Sequence, residues 1–313
     1  MRKSLSDFVV EAHALTKRFG KVIALDGLDL FVERGEVHGF LGPNGAGKST
    51  TIRALLGQIR LDAGHVSVLG MDAWERAVDI HERLSYVPGD TALWPGLTGG
   101  QCIDLLGGVH GSMNRRRRDE LVERFELDPS RRFRTYSKGN RQKIALIAAL
   151  ACDVEFIILD EPTSGLDPLM ESVFQQVLAE RAAQGASALL SSHILAEVEA
   201  LCARLTVVRS GRAVFTGPLE ELRDGTFTVI DAVTAGEPVG LERMSGLSGI
   251  ELRSHARGSH LTVQASAEAL PSALATVAAA RPLQLSVRPP SLEQLFLQKY
   301  AGAAETTEGG GHR

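Results

Sequence analysis

The nonapeptide GPNGAGKST, Gly42 to Thr50, constrains this chain more than any other stretch. It fits the pattern Gly-x-x-x-x-Gly-Lys-Ser and lies between EVHGF and TTIRALL, a predicted strand and a predicted helix. A turn of this kind points successive backbone N–H groups into one concavity suited to a β-phosphate. Side chains would obstruct the dihedrals it needs, hence the glycines. The helix beginning near Lys48 directs its positive end at the same anion. Lys48 then reaches the β- and γ-phosphates, and Ser49 offers a hydroxyl to Mg²⁺. The bland alternative is a glycine-rich turn with an incidental lysine, and the flanking strand and helix argue against it. Gly42, Pro43, Asn44, Gly45, Ala46, Gly47, Lys48, Ser49 and Thr50 are the candidate nucleotide-binding set, with ATP and Mg²⁺ as the expected cofactors.

Three further stretches bear on the same chemistry. The run FIILDEP reads as an interior strand ending in two acids, costly to bury without a cation. Asp160 is the candidate metal ligand through water, and Glu161 the candidate base that polarises a water toward the γ-phosphate. A plain strand-end acid capping the turn at Pro162 is the alternative. The stretch TYSKGNRQK, Thr135 to Lys143, sets a small donor-rich turn before the apolar run IALIAALA, with its helix expected from near Arg141. Taken alone, Ser137 is an ordinary N-capping serine. His193 closes the apolar run SALLSS, where a packed or capping histidine is the ordinary expectation.

With 313 residues the chain is long enough for a large domain and a smaller one. Strands alternating with helices predict an α/β fold with a mostly parallel sheet covered on both faces. Its boundaries are expected at 1–221, with an inserted helical subdomain over about 98–152. From Leu222 to about Tyr300 the pattern becomes βαββαβ, a ferredoxin-like α+β domain, and 301–313 reads as a disordered tail. The 34 basic and 38 acidic residues leave a net charge of -4, which gives no reason to expect a nucleic-acid partner. The run Arg115 to Arg118 reads as a solvated helix face. Cys102, Cys152 and Cys202 are spaced for neither a metal nor a disulfide framework and are expected to be reduced and buried. His255 and His260 are not set at ligand spacing with acids or cysteines, which argues against a metal there. The apolar run IALIAALAC is far shorter than the roughly twenty residues of a spanning helix.

Together GPNGAGKST, YSKGNRQK, ILDEPTSGLDP and SSH, in this order and spacing, resemble the nucleotide-binding subunit of an ATP-binding-cassette transporter, over roughly residues 8 to 220. That resemblance implies a P-loop NTPase fold. It also implies that the family's signature, usually Leu-Ser-Gly-Gly-Gln, falls on Tyr136 to Asn140. Ser137 and Gly139 would then bind the γ-phosphate of ATP held by a second copy in a head-to-tail dimer. Asp167 would end the loop linking the two sites, and His193 would be a switch histidine at the γ-phosphate. Phe19 falls where the family stacks an aromatic ring on adenine; the alternative is a core aromatic on an edge strand. The family's glutamine after LSYVP is replaced by Gly89 and Asp90, which makes Asp90 a candidate substitute ligand for Mg²⁺. Lys138 and Asn140 depart from the usual signature and resemble the antibiotic and multidrug exporter branch. The implied function is an ATPase subunit on the cytoplasmic face of the plasma membrane. It would dimerise around two MgATP to drive export of a hydrophobic, drug-like substrate through a separate multi-helix permease. The rival is a soluble cassette ATPase of translation or DNA repair. Such proteins generally carry two cassettes or a long coiled coil, and this chain has one cassette and no sustained heptads.

Overall fold

The computed structural model describes residues 7–109, 111–223, 227–255 and 258–288. The expected tail and the end of the second domain lie outside the described residues. By its internal contacts the chain divides into two compact units, Met1–Leu219 and Glu220–Arg313.

The first unit begins β1 (Phe8–Phe19), β2 (Val22–Glu33), β3 (Val37–Leu41), α1 (Lys48–Leu55), β4 (Ala63–Val68), β5 (Met71–Asp72), α2 (Ala77–His81) and β6 (Leu84–Val87). It continues α3 (Gly99–Val109), α4 (Arg115–Arg124), α5 (Lys138–Ala151), β7 (Phe156–Asp160), α6 (Pro168–Ala183), β8 (Ser187–Ser192), α7 (Leu195–Leu201), β9 (Arg204–Arg209) and β10 (Arg212–Pro218). Every residue of β3, β7 and β8 is buried, as befits strands covered on both faces, and the apolar run Phe156 to Leu159 of β7 is the one whose sequence predicts it most directly. These three form the middle of a six-stranded sheet ordered β10-β9-β3-β8-β7-β6, parallel except for β10. Register sets Leu41 beside Ser192 and Asp160 beside Ser191. The carboxyl ends of β3, β8 and β7 therefore finish level, and the loops leaving them share one edge.

The apolar pattern before Val37 predicts strands without saying which sheet they join. β1 and β2 pair antiparallel and, with β4 and β5, make a separate sheet ordered β2-β1-β4-β5. Its inner residues, among them Val10, Leu25, Leu28 and Leu30, share a core with Phe40, Ile52 and Leu55. Helices α3 to α5 are an excursion between β6 and β7, which are neighbours in the sheet. From Gln142 to Ala151 every residue of α5 is buried, as expected of a helix apolar on all sides. It starts at Lys138, not near Arg141, so the residues expected in a preceding turn form its first turn. The three cysteines are free and buried.

After α8 (Leu219–Arg223), the second unit runs β11 (Thr228–Thr234), a 3-10 turn at Leu241–Arg243, β12 (Leu247–His255), β13 (Gly258–Ala265), α9 (Leu270–Ala279) and β14 (Pro282–Arg288). The sheet is antiparallel, ordered β12-β13-β11-β14. This is the ferredoxin-like arrangement with its first helix reduced to a single turn. Ala273 and Val277 of α9 close its core over Ile230, Ala232, Leu261 and Val263. His260 does meet an acid, because cross-strand pairing brings its Nε2 to 3.2 Å from Asp231. Thr262 takes the other carboxylate oxygen at 3.1 Å, and no group of three or more possible His, Cys, Asp or Glu metal ligands forms among the described residues.

Candidate functional site

The loop after β3 is shaped by its glycines. Gly47 has φ of 115°, and a Cβ there would lie 2.9 Å from the Ala24 carbonyl of β2; a side chain would be both strained and blocked. Gly47 is also the N-cap of α1, with no side-chain cap and no acid in the first turn. The helix thus opens its N–H groups and positive end toward the loop. Lys48 is buried, and its Nζ donates to the carbonyls of Gly42 at 2.6 Å and Pro43 at 3.4 Å. Burial lowers the pKa of Lys48, while the charges of Glu161 and Asp160 work against that.

Asp160, the last residue of β7, is 8% exposed. Burial raises its pKa and the Glu161 charge adds to the effect; the Ser49 hydrogen bond and Lys48 oppose it. Ser49 donates from Oγ to Oδ2 of Asp160 at 3.4 Å. Glu161 turns away at φ of 49°, a left-handed conformation that costs a non-glycine residue about 1–2 kcal/mol. Its carboxylate lies 3.0 Å from Nδ1 of His193 and 3.9 Å from Nζ of Lys48. One cluster therefore gathers Lys48, Ser49, Asp160, Glu161 and His193 from the ends of three adjacent parallel strands.

Away from that cluster, Ser137 is the N-cap of α5, its hydroxyl accepting from the Asn140 N–H at 3.3 Å. Both Ser137 and Lys138 are exposed. Lys138 donates from Nζ to Ser164 Oγ at 2.8 Å, and a Cβ on Gly139 would sit 2.2 Å from the Gly165 carbonyl oxygen. The turn therefore lies directly on the loop that follows Glu161. Asp167 ends that loop and caps α6, accepting from the Met170 N–H at 3.0 Å. Phe19 is 49% exposed at the tip of the β1–β2 hairpin, which removes the core-aromatic alternative; Lys17 Nζ lies 5.5 Å from its ring centroid. Asp90 is exposed and lines a cleft with Tyr86, Leu93, Leu106 and Ala145. Its neighbour Gly89 is the residue against the chemistry, since a Cβ there would lie 3.1 Å from the Asp160 carbonyl oxygen.

A family profile described as ABC transporter matches residues 25–164. The daunorubicin resistance ATP-binding protein DrrA3 of Streptomyces coeruleorubidus is 36% identical over 94% of this chain and 96% of its own length. The chain belongs to the ABC transporter ATP-binding family. A second daunorubicin resistance protein of that organism, DrrA2, is 31% identical over 97% of this chain and 98% of its own. A solved ATP-binding subunit of an ABC transporter superposes with a TM-score of 0.65 at 30% identity, covering 69% of this chain and 92% of that one. This is an ATP-hydrolysing subunit of an ABC transporter.

Two features of the ATPase escaped the sequence. The left-handed backbone at Glu161 carries no signature, because DEP is compatible with several turns. The second is a buried acid, Glu197 of α7, hydrogen-bonded to Thr163 and Ser192. The one available signal is its position beside Val198 on the buried stripe of a short amphipathic helix.

Proposed function

We propose that two copies of this subunit associate head to tail and close two composite ATP sites. Each copy supplies the loop Gly42–Thr50, Asp160, Glu161 and His193 to one ATP, and Ser137 and Gly139 to the other. The observation that carries this reading is the start of α5, a 14-residue helix whose body is buried while Ser137 and Lys138 at its positive end are exposed, with Gly139 half-buried beside them. In this arrangement Lys48 leaves its carbonyl partners for the β- and γ-phosphates, Phe19 offers its exposed ring to adenine, and Glu161 accepts a proton from the attacking water. His193, 3.0 Å away, holds the Glu161 carboxylate in place.

The residues present fit a magnesium ion. Ser49 and Asp160 bring hard oxygen donors within 3.4 Å of each other, and the buried carboxylate needs a cation to offset its desolvation. Ser49 would hold the ion by its hydroxyl and Asp160 would hold it through water. When bound, the ion neutralises charge on the phosphates. Asp90 is the further acid proposed for the metal; Asp90→Asn should raise the magnesium concentration needed for half-maximal turnover, and an unchanged requirement would remove Asp90 from the site.

For cargo we propose a hydrophobic, drug-like molecule, on the strength of the full-length similarity to daunorubicin resistance proteins. No helix among the described residues is long and apolar enough to cross a membrane; a separately encoded permease would supply the path, with this subunit on its cytoplasmic face. Glu161→Gln tests the central claim. The variant should bind ATP, fail to turn it over and elute from a sizing column as a dimer. A monomer with wild-type turnover would refute the assignment.

A further inference from the structure

Glu197 stands outside every motif that carries the chemistry, and the residue is only 6% exposed. Burying a carboxylate is unfavourable unless its oxygens are satisfied, and here a hydroxyl from the loop after β7 and one from the last residue of β8 do so. Thr163 donates to Oε1 and Ser192 donates to Oε2 at 2.6 Å. Ser192 Oγ also accepts the N–H of Ile194 at 2.9 Å, which pins the backbone on both sides of His193. Thr163 lies two residues past Glu161 on the loop from β7, and Ser192 ends β8 directly before His193. Since His193 Nδ1 meets Glu161 at 3.0 Å, covalent chain and hydrogen bonds form a closed ring through Glu161, Thr163, Glu197, Ser192 and His193.

We propose that Glu197 is a positioning residue for ATP hydrolysis, bracing the β7 and β8 loops so that the Glu161 carboxylate and the His193 imidazole keep their mutual placement. This rests on the reading of Glu161 and His193 given above. The brace acts on the two side chains that touch the reacting water and γ-phosphate, and on none of the groups that grip adenine or the β-phosphate. Its loss therefore acts on turnover and leaves nucleotide binding intact. A glutamine can keep both bonds. Its carbonyl accepts from Thr163, and its amide donates to Ser192, whose own hydrogen can turn to the Ile194 carbonyl, 3.3 Å away. An alanine keeps neither.

The test uses the full chain with MgATP, measuring kcat and KM for Glu197→Ala, Glu197→Gln and the near-isosteric Thr163→Val, each also in a His193→Ala background. A misplacement of about an ångström at a reacting centre is worth about a hundredfold. Glu197→Ala should lower kcat by about that factor with KM little changed, Glu197→Gln should recover most of it, and the loss should nearly vanish once His193 is alanine. A rise in KM at unchanged kcat would overturn the proposal. So would an undiminished loss in the His193→Ala background, which would mark a residue that merely supports the fold. If Glu197→Ala melts, Thr163→Val, which removes one arm only, decides by the same criteria. Wild-type turnover in both Glu161→Gln and His193→Ala would instead refute the underlying site assignment.

Discussion

Asp160→Asn removes one buried charge from the end of β7 and almost no volume. The residue is 8% exposed, and its carboxyl is held above the usual aspartate pKa of 3.8 by burial first and by the Glu161 charge next. The Ser191 and Ser49 hydroxyls and the Lys48 charge oppose this without overcoming it, and Lys48 is itself committed to the carbonyls of Gly42 and Pro43. The sign follows from linkage. A carboxyl group whose pKa is higher in the folded state favours folding when protonated, and that contribution is lost as pH rises from 3.8 through the raised native value. At neutral pH the native state therefore carries the whole penalty, and the amide carries none. Single changes that relieve a functional site of strain or charge commonly stabilise by about 0.5–2 kcal/mol. For a unit of this size, about 1 kcal/mol moves Tm by about 2–4 °C. Thermal melts by circular dichroism, in EDTA and without nucleotide, should show Asp160→Asn melting higher than wild type at neutral pH. The gap should narrow on acidification as the wild-type group takes up its proton, and MgATP hydrolysis by the variant should be lost. A variant that melts lower at neutral pH, or a gap that widens in acid, would refute the argument.

Three other substitutions probe the remaining contacts. Gly139→Ala drives a methyl group against the Gly165 carbonyl oxygen, 2.2 Å from the ideal Cβ position; urea melts should register about 1–3 kcal/mol of destabilisation together with loss of turnover. Phe19→Ala alters an exposed ring and should leave stability within about 0.5 kcal/mol. Its ATP affinity should fall by the roughly 1–3 kcal/mol of a base–aromatic stack, with Phe19→Trp retaining it, as isothermal titration would show. Ser137→Ala removes the cap of α5 and should destabilise the monomer by about 1 kcal/mol. Ser137→Asp restores the cap but places a negative charge before an incoming phosphate, so it should fold normally and fail to form the ATP-dependent dimer.

What could be read in advance followed residue chemistry with a short range. The loop Gly42–Thr50 was legible because its glycines, lysine and serine are adjacent in the chain, and FIILD because an unbroken apolar run has one economical home in a parallel sheet. The separate antiparallel sheet was not legible. β1, β2 and β3 have similar local patterns, and only long-range pairing with Val66 and Val68 of β4 draws the first two away. The start of α5 falls three residues before the expected one, because Gly139 and Asn140 have weak helix preference and the capping bond to Ser137 Oγ decides the boundary. His260 met Asp231 through strand register, which spacing along the chain does not encode. Glu197 was invisible for the same reason, since both of its partners belong to other elements.

The loop between Glu161 and Asp167 connects these observations. Its first residue is Glu161, the acid proposed to face its own ATP, and from three residues on, Ser164 and Gly165 lie against the first turn of α5 through Lys138 and the close approach of Gly139. On the proposed dimer that turn serves the opposite ATP, so a displacement of the turn is transmitted along a few residues to Glu161. Thr163, inside this loop, is also one arm of the Glu197 brace. Two adjacent residues of this segment are thus held by different helices, Ser164 by Lys138 of α5 and Thr163 by Glu197 of α7. Lengthening it by one glycine after Ser164 should leave ATP affinity unchanged while uncoupling the two sites. The Hill coefficient for ATP would then fall toward one, whereas undiminished cooperativity would place the coupling elsewhere.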